Sequence, residues 1–152
     1  MANNDAIVIL MADDDDDDYL LTRKALKKSK LLNKLERVKD GEELMDYLLH
    51  RRQYTDPKTS PRPGVVLLDL NMPKKDGREA LKEIKASDKL KDIPVVVFTT
   101  SKAEEDIYKS YKLGVNSFIT KPVTFENLIE VIQTLGKYWF EIVALPREVS
   151  NN

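Results

Sequence analysis

Aspartates account for most of the chemistry open to this chain. Six stand in a row from Asp13 to Asp18, and Asp69 closes the apolar run "VVLLD". Carboxylates brought together repel, so a site built from Asp13, Asp14 and Asp69 either raises a pKa or recruits a cation. Magnesium suits such a set, because it takes oxygen ligands, keeps several waters and binds one or two carboxylates together with phosphate oxygens. Lys121 can neutralise the negative charge left over, since two unit charges about 4 Å apart interact by about 4 kcal/mol at an effective dielectric of about 20. Such a site is fitted to a phosphoryl group. Asp69 is then the carboxylate nucleophile, Lys121 and the metal share the charge on the equatorial oxygens, and Thr99 offers a hydroxyl. Each part also has an ordinary reading. The acid run can be a solvated helix start with Asp17 or Asp18 as its cap; Asp69 can cap a turn; Thr99 is a common strand residue; and Lys121 before Pro122 is weak evidence alone. The joint pattern carries the argument.

Short β-branched runs alternate with helical patterns and supply the elements that must position these residues. The runs are Ile7 to Met11, Arg37 with Val38, Val65 to Leu70, Pro94 to Phe98 and Ser117 to Thr120, an alternation that reads as α/β with a parallel sheet. "VVLLD" and "PVVVF" are continuously apolar, as expected of central strands covered on both faces. Between the runs, Leu21, Ala25 and Leu26 share one helical face, as do Leu44 with Leu48, Ala80 with Leu81 and Ile84, and Ile107 with Tyr111. In the last helix Leu128, Val131, Ile132, Leu135, Trp139 and Ile142 form one apolar stripe. The polar, proline-containing stretch 51–64 is a surface loop, and the expected layout is one domain over 1–145 with a flexible tail over 146–152. Ligands of an open α/β sheet bind beyond the carboxyl ends of its strands, which is where Asp13, Asp69, Thr99 and Lys121 fall.

Composition removes other chemistries. The chain has 152 residues, no cysteine and the single His50, which excludes disulfides, thiolate zinc sites, cysteine catalysis and multi-histidine metal centres. Lys plus Arg number 25 against 26 Asp plus Glu, and with no local basic face no nucleic-acid partner is expected. No apolar run approaches the length of a membrane span and the start lacks a basic secretory signal, so no membrane partner and a cytoplasmic location are expected.

These residues together resemble the receiver domain of two-component response regulators over nearly the whole chain. The receiver pattern is an acidic pair after the first strand, a phosphoacceptor Asp after the third, Thr or Ser after the fourth and Lys-Pro after the fifth. Here these are Asp13 and Asp14, Asp69 within "LLDLNMPKKDG", Thr99 within "VVVFTTS" and Lys121-Pro122 within "SFITKPV". The resemblance implies a doubly wound, flavodoxin-like five-stranded parallel sheet in the order 2-1-3-4-5. It also implies magnesium-dependent phosphotransfer from a histidine kinase to Asp69, and a metal ligand from the Asn71 main-chain carbonyl. Gly77 fits the tight turn of the family's "MPxxDG" segment, Phe118 occupies the place of a switch aromatic that follows Thr99, and Asn71 and Ser101 resemble positions that influence hydrolysis. Where the family commonly has Glu-Asp this chain has Asp13-Asp14, and Asp15 is the alternative ligand if the strand is displaced by one residue. The long loop before the third strand, "KDGEELMDYL" and the "YWFEIVALP" tail are similar to single-domain regulators paired with phytochrome-type histidine kinases.

Other classes fit less well. An aspartate-phosphate hydrolase of the haloacid dehalogenase type needs an acid two positions after its nucleophile, where this chain has Asn71. A flavodoxin-like flavin carrier needs a hydroxyl- or glycine-rich phosphate loop where six acids stand, and the scattered glycines make no nucleotide loop. The runner-up is a receiver-like scaffold that works without phosphorylation. As a phosphoacceptor regulator rather than an enzyme, the chain is expected to signal through a partner or through a homodimer. The apolar Trp139, Phe140, Ile142 and Val143 suggest the last helix and its extension as that interface.

Overall fold

The computed structural model describes residues 7–137. Five strands and five helices alternate: β1 Ile9–Ala12, α1 Asp16–Lys28, β2 Leu35–Val38, α2 Gly41–Leu48, β3 Val65–Leu68, α3 Gly77–Ala86, β4 Val95–Thr99, α4 Glu104–Leu113, β5 Ser117–Thr120 and α5 Phe125–Leu135. All strand pairings are parallel, as the alternation of runs predicts, in the order β2-β1-β3-β4-β5 that the receiver resemblance implies. Every residue of β1, β3 and β4 is buried, which is why their runs do not alternate. Side chains nevertheless alternate between faces. Leu10, Ala12, Val66, Leu68, Val95 and Val97 pack with α2 and α3; Ile9, Met11, Val65, Leu67, Val96 and Phe98 pack with α1 and α5.

Several element assignments shift. β1 and β4 start later than the apolar runs and end one residue further on, β2 begins earlier, and β3 stops at Leu68, so Asp69 lies just past the ladder rather than within it. On α1 the buried face is Thr22, Ala25 and Leu26, with Leu21 exposed. Leu21 stands one position before Thr22 and so points away from the sheet; the Thr22 hydroxyl is tolerated inside because it donates to the Asp18 carbonyl at 2.8 Å. On α4 only Ser110 is buried; Tyr111 is exposed and Ile107 half-buried, because α4 stands over the sheet's edge beside β5, whose residues are themselves half-buried. The helix cap is Asp15, which accepts from the N–H groups of Asp17 and Asp18 at 2.8 and 3.1 Å, and not Asp17 or Asp18 themselves. The loop over 51–64 is pinned to α2: the Tyr47 hydroxyl donates to the Pro61 carbonyl and His50 Nε2 lies 2.9 Å from the Ser60 carbonyl.

In α5, Leu128, Ile132 and Leu135 are buried and Val131 is half-buried. The expected continuation through Trp139 and Ile142, the association residues Phe140 and Val143, and the boundary at 145 lie outside the described residues.

Candidate functional site

Backbone hydrogen bonds carry each ladder one step past its strand and place the polar residues. The Asp13 N–H donates to the Val38 carbonyl at 3.0 Å, the Asp69 N–H to Ala12 at 3.0 Å and the Lys121 N–H to Thr99 at 2.8 Å. The ends of β1, β3, β4 and β5 therefore open onto one pocket edge, as the sheet order requires.

Asp69 is the hub. It is 5% exposed, and both carboxylate oxygens are engaged. Oδ1 accepts the Thr99 hydroxyl at 2.7 Å and the Asn71 N–H at 3.1 Å; Oδ2 accepts from Lys121 at 3.2 Å. Lys121 Nζ also lies 2.7 Å from Asp13 Oδ2 and 2.7 Å from Asp18 Oδ2. Burial works against the Lys121 ammonium, yet its contacts with Asp13 and Asp18 raise its pKa overall, so the amine stays charged. Burial pushes the Asp13 carboxyl up to about 6, against the opposing pull of Lys121 and of the Asp15 N–H, which donates to Asp13 Oδ1 at 2.9 Å.

Carboxylate oxygens of Asp13, Asp14 and Asp69 lie within 4.8 Å of one another, with Asp13 and Asp69 buried and Asp14 exposed. Asp13 Oδ2 is buried and receives no well-angled hydrogen bond, despite the nearby ammonium. A buried carboxylate oxygen with unspent lone pairs, two more carboxylates beside it and one side open to solvent is a donor set that fits a hard divalent cation. The alternative Asp15 is occupied as the α1 cap and is not part of this cluster.

Sequence reasoning thus finds Asp13, Asp14, Asp69, Thr99 and Lys121, and the fold brings them together. Asn71 is in the same turn, contributing its N–H to Asp69 and its side-chain carbonyl to Arg78. Phe118 is half-buried against the cluster on the α2 and α3 face, and its N–H donates to the Tyr111 hydroxyl at 3.0 Å. Two residues were not anticipated. Asp18, the third residue of α1, supplies a contact to Lys121 that no local spacing announces. Arg37 of β2 donates through Nε to the Asp13 carbonyl at 3.0 Å, pairs with Asp16 at 2.8 Å and lies over the Tyr19 ring at 4.9 Å. Only the parallel register, which sets Arg37 beside Met11, reveals that the arginine belongs to the acidic loop.

Comparison with known proteins identifies the family. The response regulator receiver domain family matches residues 9–133. Response regulator Rcp1 of Synechocystis sp. is 44% identical over 126 residues, 83% of this chain and 84% of that protein. The crystal structure of the Mn(2+)-bound form of Rcp1 superposes with a TM-score of 0.84 at 43% identity, covering 93% of this chain and 99% of that one. The phosphorylated cyanobacterial phytochrome response regulator RcpA gives a TM-score of 0.86 at 40% identity over 93% and 99% of the two chains.

Proposed function

The chain belongs to the response regulator receiver domain family and is related to phytochrome response regulators, and from that premise we propose that Asp69 is its phosphoacceptor and a sensor histidine kinase, of the phytochrome type, its donor. In the transfer an Asp69 carboxylate oxygen forms a bond to phosphorus as the P–N bond of the phosphohistidine breaks, and the imidazole leaves with the electron pair. One observation carries the reading: a buried carboxylate meets a hydroxyl, a backbone N–H and an ammonium from three different strand ends.

Divalent metal binding follows from the donor set and has its counterpart in the Mn(2+)-bound relative; we take the physiological ion to be magnesium, held by Asp13, Asp14, Asp69 and the Asn71 main-chain carbonyl. Its contribution is to offset charge on the phosphoryl oxygens and the acids at once. The protein's own groups do the remainder. Lys121, already charged and 3.2 Å from Asp69, stabilises the same oxygens without reorganising. Thr99 is free to exchange its bond to Asp69 for one to the phosphoryl group, and Phe118, attached through β5, follows that movement.

We read residues 1–145 as one receiver domain acting in the cytoplasm as a regulator rather than an enzyme with a separate substrate, without nucleic-acid or membrane partners. Its output is through a partner protein or a homodimer built on the last helix with Trp139, Phe140, Ile142 and Val143. Among the described residues no helix is long and apolar enough to cross a membrane. Incubation with acetyl phosphate and magnesium is expected to add one phosphoryl mass, abolished by Asp69→Asn; an unchanged mass for the unsubstituted chain would refute the phosphoacceptor assignment.

A further inference from the structure

Arg78, at the start of α3, is the most heavily bonded side chain beside the site and has no part in the transfer chemistry described above. Its Nε and Nη2 donate to the two carboxylate oxygens of Asp106, in the first turn of α4, at 2.8 and 2.7 Å. Nη1 reaches back to the Leu70 carbonyl at 3.4 Å, the Asn71 side-chain carbonyl at 3.3 Å and Asp76 at 3.2 Å. Asp106 Oδ2 also accepts the Ser101 hydroxyl at 2.7 Å, and the Ser101 N–H points at Thr99 Oγ1 at 3.4 Å.

Followed in order, these bonds form a closed ring. From Asp69 Oδ1 the path runs to the Asn71 N–H, through the Asn71 side chain to Arg78, across to Asp106, to Ser101, to Thr99 and back to the same Asp69 oxygen. The ring's one charged span is the two-pronged Arg78–Asp106 pair, the strongest and most directional hydrogen-bonding geometry available to side chains. Arg78 in turn holds the Asp106 carboxyl down at about 2, so the pair is ionised throughout the physiological range.

We infer that Arg78 and Asp106 are positioning residues for phosphoryl transfer: their ion pair fixes the turn carrying Asn71 against the end of β4 with Thr99 and the following loop with Ser101, so that the cation and phosphoryl subsites are built as one unit. The inference rests on Asp69 as phosphoacceptor. The site's two walls come from different crossovers, and no backbone ladder joins the turn after β3 to the loop after β4. The Thr99–Asp69 bond joins the two walls at the strand ends and the clasp joins them further out, between α3 and α4; without it the ligand oxygens of the Asn71 turn lose their fixed register with the Thr99–Ser101 segment.

Arg78→Gln, Asp106→Asn and the double variant test this by magnesium calorimetry and by phosphorylation rate with acetyl phosphate, read by intact mass. Each single variant is expected to weaken magnesium binding and slow phosphorylation by about 10-fold, the scale seen when a group supporting a metal ligand is lost. The double variant is expected to be no worse than the more affected single, because both remove one interaction. Arg78→Lys keeps the charge without the fork and is expected to recover little of the loss. Unchanged affinity and rate in the folded single variants overturns the inference, as does a double variant whose losses multiply. If thermal unfolding shows that a single variant has lost its fold, Asp106→Glu, which keeps the charge on a longer arm, serves instead: weakened magnesium binding supports the clasp and unchanged binding overturns it. An unsubstituted protein that binds magnesium yet never gains a phosphoryl group refutes the Asp69 assignment, whereas normal phosphorylation with unaffected variants refutes the clasp alone.

Discussion

At Asp13 burial and charge oppose each other. The carboxyl is 1% exposed and its pKa rises to about 6, above the 3.8 of the unfolded chain. Between those two values the folded protein binds a proton that the unfolded chain has released, so stability present below pH 4 is lost as the pH rises through about 6. In the absence of metal, Asp13→Asn has no charge to bury. Its unfolding temperature at pH 7.5 is expected to exceed that of the unsubstituted protein by about 3 °C, the gap closing near pH 4. Saturating magnesium should reverse the order, because only the unsubstituted protein gains stability by binding it well. Thermal scans across pH, with chelator and with metal, check both parts. A lower unfolding temperature for Asp13→Asn at pH 7.5 with chelator would mean that pairing with Lys121 outweighs the burial.

The junction between β3 and α3 is where an element acts directly on the site. A Cβ on Gly77 would stand 2.2 Å from the Asp69 carbonyl oxygen and 2.7 Å from Leu70 Cα, and the Gly77 N–H donates to the Leu70 carbonyl at 2.9 Å. The helix therefore starts flush against the strand end, fixed by Asp76, whose side chain accepts from Arg78 and Glu79 while Glu79 returns a bond to the Asp76 N–H. Gly77→Ala must push the Asp69 backbone away. It is expected to cost about 1–3 kcal/mol and to slow phosphorylation. Gly114 is the useful contrast. It closes α4 with φ at 104°, and a Cβ there would meet only Lys85 Cε, in ordinary contact at 3.9 Å, so Gly114→Ala is expected to cost about 1 kcal/mol through backbone strain and leave the phosphorylation rate unchanged. Denaturant titration beside acetyl phosphate kinetics separates the two; equal phosphorylation rates in both variants would show that the close approach at Gly77 does not matter to the site.

For the whole molecule the prediction concerns self-association. The proposed homodimer through Trp139, Phe140, Ile142 and Val143 should give a light-scattering mass of two chains at high micromolar concentration, reduced to one by Trp139→Ala. A single-chain mass with and without beryllofluoride would exclude it. Strand identity and the polar residues at the strand ends were readable from the linear sequence for a local reason, whereas the sheet order came from the resemblance to receiver domains. A buried parallel strand must be apolar along its length, and its carboxyl end must face the ligand edge, so Asp13, Asp69, Thr99 and Lys121 are marked by where their runs stop. Partnerships were not readable, because they join residues far apart in the chain. Lys121 finds Asp18, Arg37 finds the Asp13 carbonyl and Arg78 finds Asp106 only once the crossovers have stacked the helices. The same limit explains Leu21 and Tyr111: spacing identifies an apolar stripe, but which side of a helix meets the sheet, and whether the sheet extends beneath it, is decided by packing.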